Sequence, residues 1–243
     1  MANNLFRKIT KSFMDLLCPE KATCLLCSKE IRKGEFCTKC ELELVYNRKN
    51  RCARCSRPTV SVEDNVCEEC KNRPIVFYDQ AVAPFVYTGT ALRLMRALKY
   101  HDRRDVAKFF ATHMEKEYHT LPKTDIIVPV PMHKSKYVER MYSQSTELAV
   151  ALGERVGAKV DDTICEKKEN TVSQTSLTKE KRLENVKGSF KVLKKDEIKD
   201  KSVLIVDDVF TTGATCSELA RTLKKSGAKK VYVLCACITN YKL

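Results

Sequence analysis

The sequence predicts an α/β architecture, a parallel sheet flanked by helices, preceded by an N-terminal domain built on cysteine pairs. Three observations predict it. Helical and strand patterns alternate from residue 76 onward, as parallel strands joined by helical crossovers require. Strand candidates such as Ile126–Val128 and Val203–Val206 are unbroken apolar runs, the mark of strands covered on both faces. Nine of the thirteen cysteines precede residue 71, a composition shift that divides the chain near residue 75 into 1–75 and 76–243.

The 243 residues suffice for two domains with a real core. No apolar run approaches the roughly 20 residues of a membrane span. Arg7, Lys8, Lys11 and Asp15 interrupt the N-terminal apolar residues, which argues against a signal peptide. Leu5, Ile9, Phe13 and Leu16 fall instead at helical spacing and predict a short amphipathic helix. The expected location is the cytoplasm. There thiols stay reduced, so the cysteines read as metal ligands or core residues rather than disulfides.

Eight cysteines form four CxxC pairs: Cys24/Cys27, Cys37/Cys40, Cys52/Cys55 and Cys67/Cys70. In such a knuckle two thiolates face one metal, and a second pair completes a tetrahedron. The short gaps suit hairpins, and two consecutive zinc ribbons are the simplest pairing, with an interleaved arrangement as the alternative. With all four ligands supplied by protein, both zinc ions are expected to be structural. Cys18, Cys165, Cys216, Cys235 and Cys237 read as buried thiols. The formal charge of +14 points to anionic partners. Residues 1–75 hold 15 Lys and Arg against 10 Asp and Glu. Eight thiolates on two Zn²⁺ lower that balance to about +1, so most of the positive field belongs to 76–243.

Along that part, residues 79–89 read as a strand and 90–100 as a helix with Leu92, Met95 and Leu98 on one face. A second helix spans 103–118. The run 125–131 is a strand stopped by prolines. Ser143 is placed to cap a helix that ends at Gly157. Residues 166–188 are polar with little periodicity. Strand 202–207, helix 214–226 and strand 230–238 close the series.

The run Val203–Val206 ends in two adjacent carboxylates, Asp207 and Asp208, followed by Thr211, Thr212, Gly213, Ala214 and Thr215. Ligands of parallel sheets bind at the carboxyl ends of strands. Paired carboxylates there accept hydrogen bonds from neighbouring hydroxyls, as on a ribose cis-diol, or approach a metal-bound ligand. The turn after them offers backbone N–H groups, threonine hydroxyls and a helix start, which together cradle an anion. A diol grip beside a phosphate cradle matches a ribose 5-phosphate. Neither GxxxxGK[ST] nor GxGxxG occurs, so nucleoside triphosphate and dinucleotide loops are excluded.

The stretch "VLIVDDVFTTGAT" resembles the 5-phosphoribosyl 1-diphosphate (PRPP) motif of type I phosphoribosyltransferases. With "CLLC", "CTKC", "CARC", "CEEC", "LKYHDRRDVA", "DIIVPVPMH" and "SQTSLTKEKRLENVKGSF", the likeness extends over nearly the whole chain to the ComF (ComFC) competence-protein family. The resemblance implies a phosphoribosyltransferase-type sheet behind a tandem zinc ribbon. By position, Asp207 and Asp208 would hold the ribose hydroxyls and the accompanying magnesium. Thr211, Thr212, Gly213, Ala214 and Thr215 would wrap the 5-phosphate. Pro131, Met132, His133 and Lys134 correspond to the pyrophosphate loop, and Gln174, Lys181, Arg182 and Asn185 to a flexible loop that closes over the reaction centre. Magnesium is implied because it neutralises diphosphate oxygens. Where the family usually has Arg-Gly-Phe-Asn-Gln, this chain reads "RMYSQ", residues 140–144.

Two functions follow as expectations. One is a competence factor that binds Mg·PRPP and handles incoming single-stranded DNA in the cytoplasm, with a helicase-like partner. Lys134, Lys136 and Arg140 interleave with Tyr137 and Tyr142, pairing cations for phosphates with rings for base stacking; the alternative for this stretch is a solvated helix face with the tyrosines packed inward. The other is an active phosphoribosyltransferase with an unassigned acceptor. No acid or base beyond the ribose carboxylates is assigned. The low charge of the metallated N-terminal part favours protein contact or scaffolding there.

Overall fold

The computed structural model describes residues 22–48, 50–59, 65–72, 76–168 and 186–240. The expected N-terminal helix, Cys18 and the flexible-loop residues Gln174, Lys181, Arg182 and Asn185 lie outside them. Contacts gather into two units, Met1–Glu43 and Leu44–Leu243.

The first unit is organised by its knuckles. The Cys24 N–H donates to Lys29 O at 2.8 Å and the Ser28 N–H to Cys24 O at 2.9 Å. Ser28 closes this turn in the left-handed region, φ 59°. Cys37 then caps helix α1, Thr38–Leu42. The second unit opens with the same device. The Cys52 N–H donates to Arg57 O at 2.8 Å and the Ser56 N–H to Cys52 O at 2.7 Å. Ser56 has φ 60°, and Cys67 caps α2, Glu68–Lys71. The four cysteines of this second copy share one apolar cluster with Ile205, Phe210 and Leu219. This second copy thus belongs to the compact unit Leu44–Leu243.

The strand expected over 79–89 is interrupted by Pro84, giving β1 (Gln80–Val82) and β2 (Phe85–Val86). Helices α3 (Gly89–Tyr100) and α4 (Asp105–Tyr118) follow, then β3 (Ile126–Pro129), α5 (Lys134–Arg140) and α6 (Gln144–Val156). Ser143 Oγ accepts the Thr146 N–H at 3.3 Å, the cap expected of it, and Gly157 ends α6 with φ 66°. Antiparallel strands β4 (Cys165–Lys167) and β5 (Phe190–Val192) flank the long polar segment. Then come β6 (Ser202–Phe210), α7 (Ala214–Lys225) and β7 (Lys230–Ile238).

The main sheet is parallel throughout, in the order β1–β7–β6–β3, with β2 also on β7. Every residue of β7 after Lys230 is buried, as expected of a central strand covered on both faces. Val203 and Ile205 of β6 pack toward α7 and the second cysteine group. By strand alternation, Leu204 and Val206 face the other side. Ladder lengths decide where a ligand fits. Pairing of β3 with β6 stops at Pro129↔Val206, whereas β6 and β7 stay paired to Phe210↔Ile238. Prolines at 129 and 131 end the shorter ladder. Asp207 and everything after it thus lie beyond the end of the β3 ladder. Among the described residues, no helix is long and apolar enough to cross a membrane.

Phe85 of β2 is fully buried and ring-stacked on Phe109, with Phe110, Tyr46 and His113 around it. Phe85→Ala should cost about 3–5 kcal/mol, the range for emptying such a site. Urea unfolding measures it; a loss below about 1 kcal/mol would show that the cluster collapses into the space.

Candidate functional site

The sulfurs of each cysteine group lie within 4.8 Å of one another, Cys24, Cys27, Cys37 and Cys40 in one and Cys52, Cys55, Cys67 and Cys70 in the other. The pairs Cys27–Cys37 and Cys55–Cys67 are 3.7 Å apart. A tetrahedron with 2.3 Å Zn–S bonds has edges of about 3.8 Å. Both groups therefore fit a zinc ion, and the pairing is consecutive, not interleaved. Zinc held by four thiolates has no open position, so it supplies cross-linking rather than chemistry.

The second site lies at the carboxyl end of β6. Asp207 and Asp208 follow the last residue paired to β3, and helix α6 reaches them first. Ser145 Oγ donates to Asp207 Oδ1 at 2.8 Å, and the Asp208 N–H donates to the same oxygen at 2.9 Å. Asp208 is ion-paired with Lys99, from the last turn of α3. Burial works against charge on the Lys99 ammonium, but the Asp208 carboxylate more than offsets this and holds it up to about 12. For Asp207, burial and then the neighbouring Asp208 charge push the carboxyl up to about 7. The hydroxyl of Ser145, the Asp208 amide and Lys99 act in the opposite direction. Two adjacent carboxylates thus coexist because one is neutralised by a lysine and the other readily takes a proton.

The loop after them is tightly built. Gly213 has φ 76°, and a Cβ there would sit 2.4 Å from Phe210 Cζ. No other residue type fits this corner without displacing the phenyl ring. Thr212, 1% exposed, accepts the Ala214 N–H on its hydroxyl at 3.3 Å. Helix α7 starts at Ala214 directly behind. Thr211, Thr212 and Gly213 therefore form a turn that runs directly into Ala214 and Thr215, the first residues of α7.

The other expected loop is adjacent. Val130 N–H donates to Val206 O at 2.9 Å, which puts Pro131, Met132 and His133 next to the end of β6. His133 caps α5 by accepting the Ser135 N–H on Nδ1 at 3.2 Å, and Lys134 opens that helix. A cavity of ≈ 410 Å³ lies beside it, between Pro131, Met132, Tyr137 and Val138 on one side and Glu166 and Lys167 on the other.

The expected stacking face needs one correction. Tyr137 is 51% exposed, but Tyr142 is 6% exposed, with its hydroxyl bonded to Leu98 O and Arg104 over its ring at 4.7 Å. Met141 turns the chain in the left-handed conformation, φ 62°, and this rotates Tyr142 off the face of α5 and into the core. The turn that a glycine usually supplies at 141 is thus made by methionine, its side chain in solvent. Arg140 donates to Gln144 Oε1 at 3.2 Å.

Four contributors escape sequence reading: Lys99, Ser145, Asn47 and Arg57. Buried Asn47 donates to Ser56 O at 2.8 Å and Ala83 O at 2.9 Å, tying the Cys52/Cys55 knuckle to the chain between β1 and β2. Arg57 donates to Thr211 O at 2.5 Å and Thr239 O at 3.2 Å. Their partners are mostly backbone atoms distant in sequence, which leaves no local pattern.

The raised Asp207 carboxyl predicts a pH dependence. Its value in the folded protein, about 7, lies above the ordinary 3.8, so between those limits the native state holds a proton that the unfolded chain has released. Stability contributed by Asp207 is complete below that window and is lost as pH rises through about 7. Asp207→Asn should flatten the fall in stability between the ordinary 3.8 and about 7, read by urea unfolding. Parallel wild-type and variant profiles would show that the carboxyl titrates normally.

Comparison with known proteins adds to this geometry. A family model described as "Double zinc ribbon domain" matches residues 13–71, and one described as "Phosphoribosyl transferase domain" matches 141–242. "Competence protein F" of Haemophilus influenzae is 26% identical over 86% of this chain and 87% of its own length. "DNA utilization protein YhgH" of Salmonella typhi is 28% identical over 89% of this chain and 96% of its own. "Competence protein ComFC" of Streptococcus pneumoniae is 24% identical over 86% and 96%. Two consecutive four-cysteine sites thus stand ahead of a parallel phosphoribosyltransferase-type sheet, the organisation that the two family models describe, and over most of its length the chain is similar to proteins named for competence and DNA utilization.

Proposed function

We propose that this protein binds Mg·PRPP at the end of β6 and acts in the cytoplasm on incoming single-stranded DNA. The observation that carries the first half is the juxtaposition of two carboxylates with a glycine-cornered turn at a helix start, next to the loop after β3. Asp207 and Asp208 take the ribose hydroxyls, and the Thr211–Thr215 turn takes the 5-phosphate through its N–H groups and hydroxyls. Pro131, Met132, His133 and Lys134 face the diphosphate, whose oxygens the accompanying magnesium neutralises. The ion pair with Lys99 keeps Asp208 from lying uncompensated beside Asp207 before ligand arrives.

The second half draws on relatives whose names concern competence and DNA utilization, and on α5. There Lys136 and exposed Tyr137 and Val138 stand together, cation beside ring, as single-strand binding uses. A helicase-like protein is the expected partner. Turnover is the second reading. The ≈ 410 Å³ cavity beside Pro131 and Met132 has the size and mixed lining of a small-molecule site and would seat an acceptor for attack on C1 of PRPP.

Calorimetric titration of Mg·PRPP into zinc-loaded protein should give saturable binding that Asp208→Asn weakens at least tenfold, about 1.4 kcal/mol. No heat from folded, metallated wild type would remove the ligand assignment. A fluorescent oligo(dT) should bind with strong salt dependence and lose about tenfold on Tyr137→Ala, against an expected stacking contribution of about 1–3 kcal/mol. Equal loss on Tyr142→Ala, or salt-insensitive binding, would discard α5 as the stacking face.

A further inference from the structure

The two cysteine repeats are built alike, and two of the positions at which they differ set the second apart. Lys29 and Lys39 of the first, both exposed, stand where the second has Arg57 and Glu69. Arg57 is 5% exposed. Its carbonyl accepts the Cys52 N–H within one knuckle, and its guanidinium pairs with Glu69, which lies between Cys67 and Cys70 of the other. The same guanidinium donates Nη2–H to Thr211 O at 2.5 Å and Nε–H to Thr239 O at 3.2 Å. One residue therefore joins both halves of a zinc site, the first residue of the Thr211–Thr215 turn and the chain just after β7. Thr239 closes the figure, donating its N–H to Phe210 O at 3.0 Å.

We propose that Arg57 is a positioning residue that carries the rigidity of the second zinc site into the Thr211–Thr215 turn. This rests on the reading of that turn as a 5-phosphate site. The turn binds an anion only if its N–H groups converge, and their direction is set by how the chain enters at Thr211 and leaves into α7. Phe210 and Gly213 fix the inside of the corner, and Arg57 fixes the entrance carbonyl. A planar guanidinium with five donors meets two carbonyls and a carboxylate at once, which a lysine cannot. Zinc holds the knuckles that carry Arg57 and Glu69 at a fixed spacing. The net negative charge of a four-thiolate zinc site further favours a guanidinium beside it. In the first repeat the equivalent lysines face solvent, so the arrangement is not a general need of the knuckle.

The test uses full-length, zinc-loaded wild type, Arg57→Ala and Arg57→Lys. Three readouts apply: zinc content, hydrogen exchange of amides 211–216 against those of β7, and affinity for ribose 5-phosphate and for magnesium pyrophosphate. Both variants should keep two zinc ions and a protected β7 while the turn amides exchange faster. Ribose 5-phosphate should weaken about tenfold, the scale of one charge-assisted hydrogen bond, with pyrophosphate unchanged. Unaltered turn exchange in a variant that retains both zinc ions overturns the proposal. So does loss of β7 protection in both variants, which would make Arg57 a residue of global stability. If wild type binds neither ligand, the phosphate-site reading fails by itself, and exchange at 211–216 still decides whether Arg57 sets the turn.

Discussion

A polar ligand can enter a buried parallel sheet only where one strand stops before its neighbour. In this protein the stop is at Pro129, and β6 runs on beside β7 for four more residues. Much of the candidate site depends on that difference. It exposes the end of β6 on one side and keeps its backbone paired on the other. It also lets Ser145 of α6 and Lys99 of α3 approach the two carboxylates. Had β3 continued, a hydrogen-bonded neighbour would flank Asp207 and close that approach.

The second zinc module completes this arrangement from the opposite direction. Its cysteines are 2–6% exposed and share a cluster with the residues under the turn. Asn47 and Arg57 then join it by hydrogen bonds to Ala83, Thr211 and Thr239. This copy of the ribbon behaves as part of the C-terminal core. In the first copy Cys27 is exposed and Cys24 and Cys40 are buried. Two modules of common design thus differ in how far they depend on neighbouring structure. That difference follows from a few side chains, not from the cysteine spacing.

Much of this was legible in the sequence because it is written in local pattern. Cysteine spacing gives the ligand sets, apolar runs give β3, β6 and β7, and Asp207 to Thr215 form a contiguous chemical group. Proline 84 splitting β1 from β2, and the pairing of β4 with β5 across a long polar segment, were not legible. They depend on ladder geometry and on partners far along the chain. Arg57 shows the limit plainly: its acceptors are carbonyls 154 and 182 residues away, and a carbonyl has no sequence signature. Tyr142 packs inward, the alternative to a stacking role, for a different reason. Alternating cations and rings suggest one face, but the left-handed turn at Met141 breaks the periodicity one residue before it matters.

Side-by-side carboxylates are costly to a fold, and this one reduces the cost without removing the pair. Lys99 compensates Asp208 directly, while Asp207 is relieved by taking a proton near neutrality and by two hydrogen bonds to one oxygen. Apolar residues at 207 and 208 would suit a strand end better, so local stability does not explain these side chains. Their arrangement suits a ligand that presents hydroxyls and positive charge to them. The proposed metal-bearing ribose phosphate would supply both, taking over the role that a proton and Lys99 play in its absence. The same region that weakens the sheet end is the one the zinc module reinforces through Arg57. Rigidity around a strained, charged pocket is what tight binding of a small polar ligand requires.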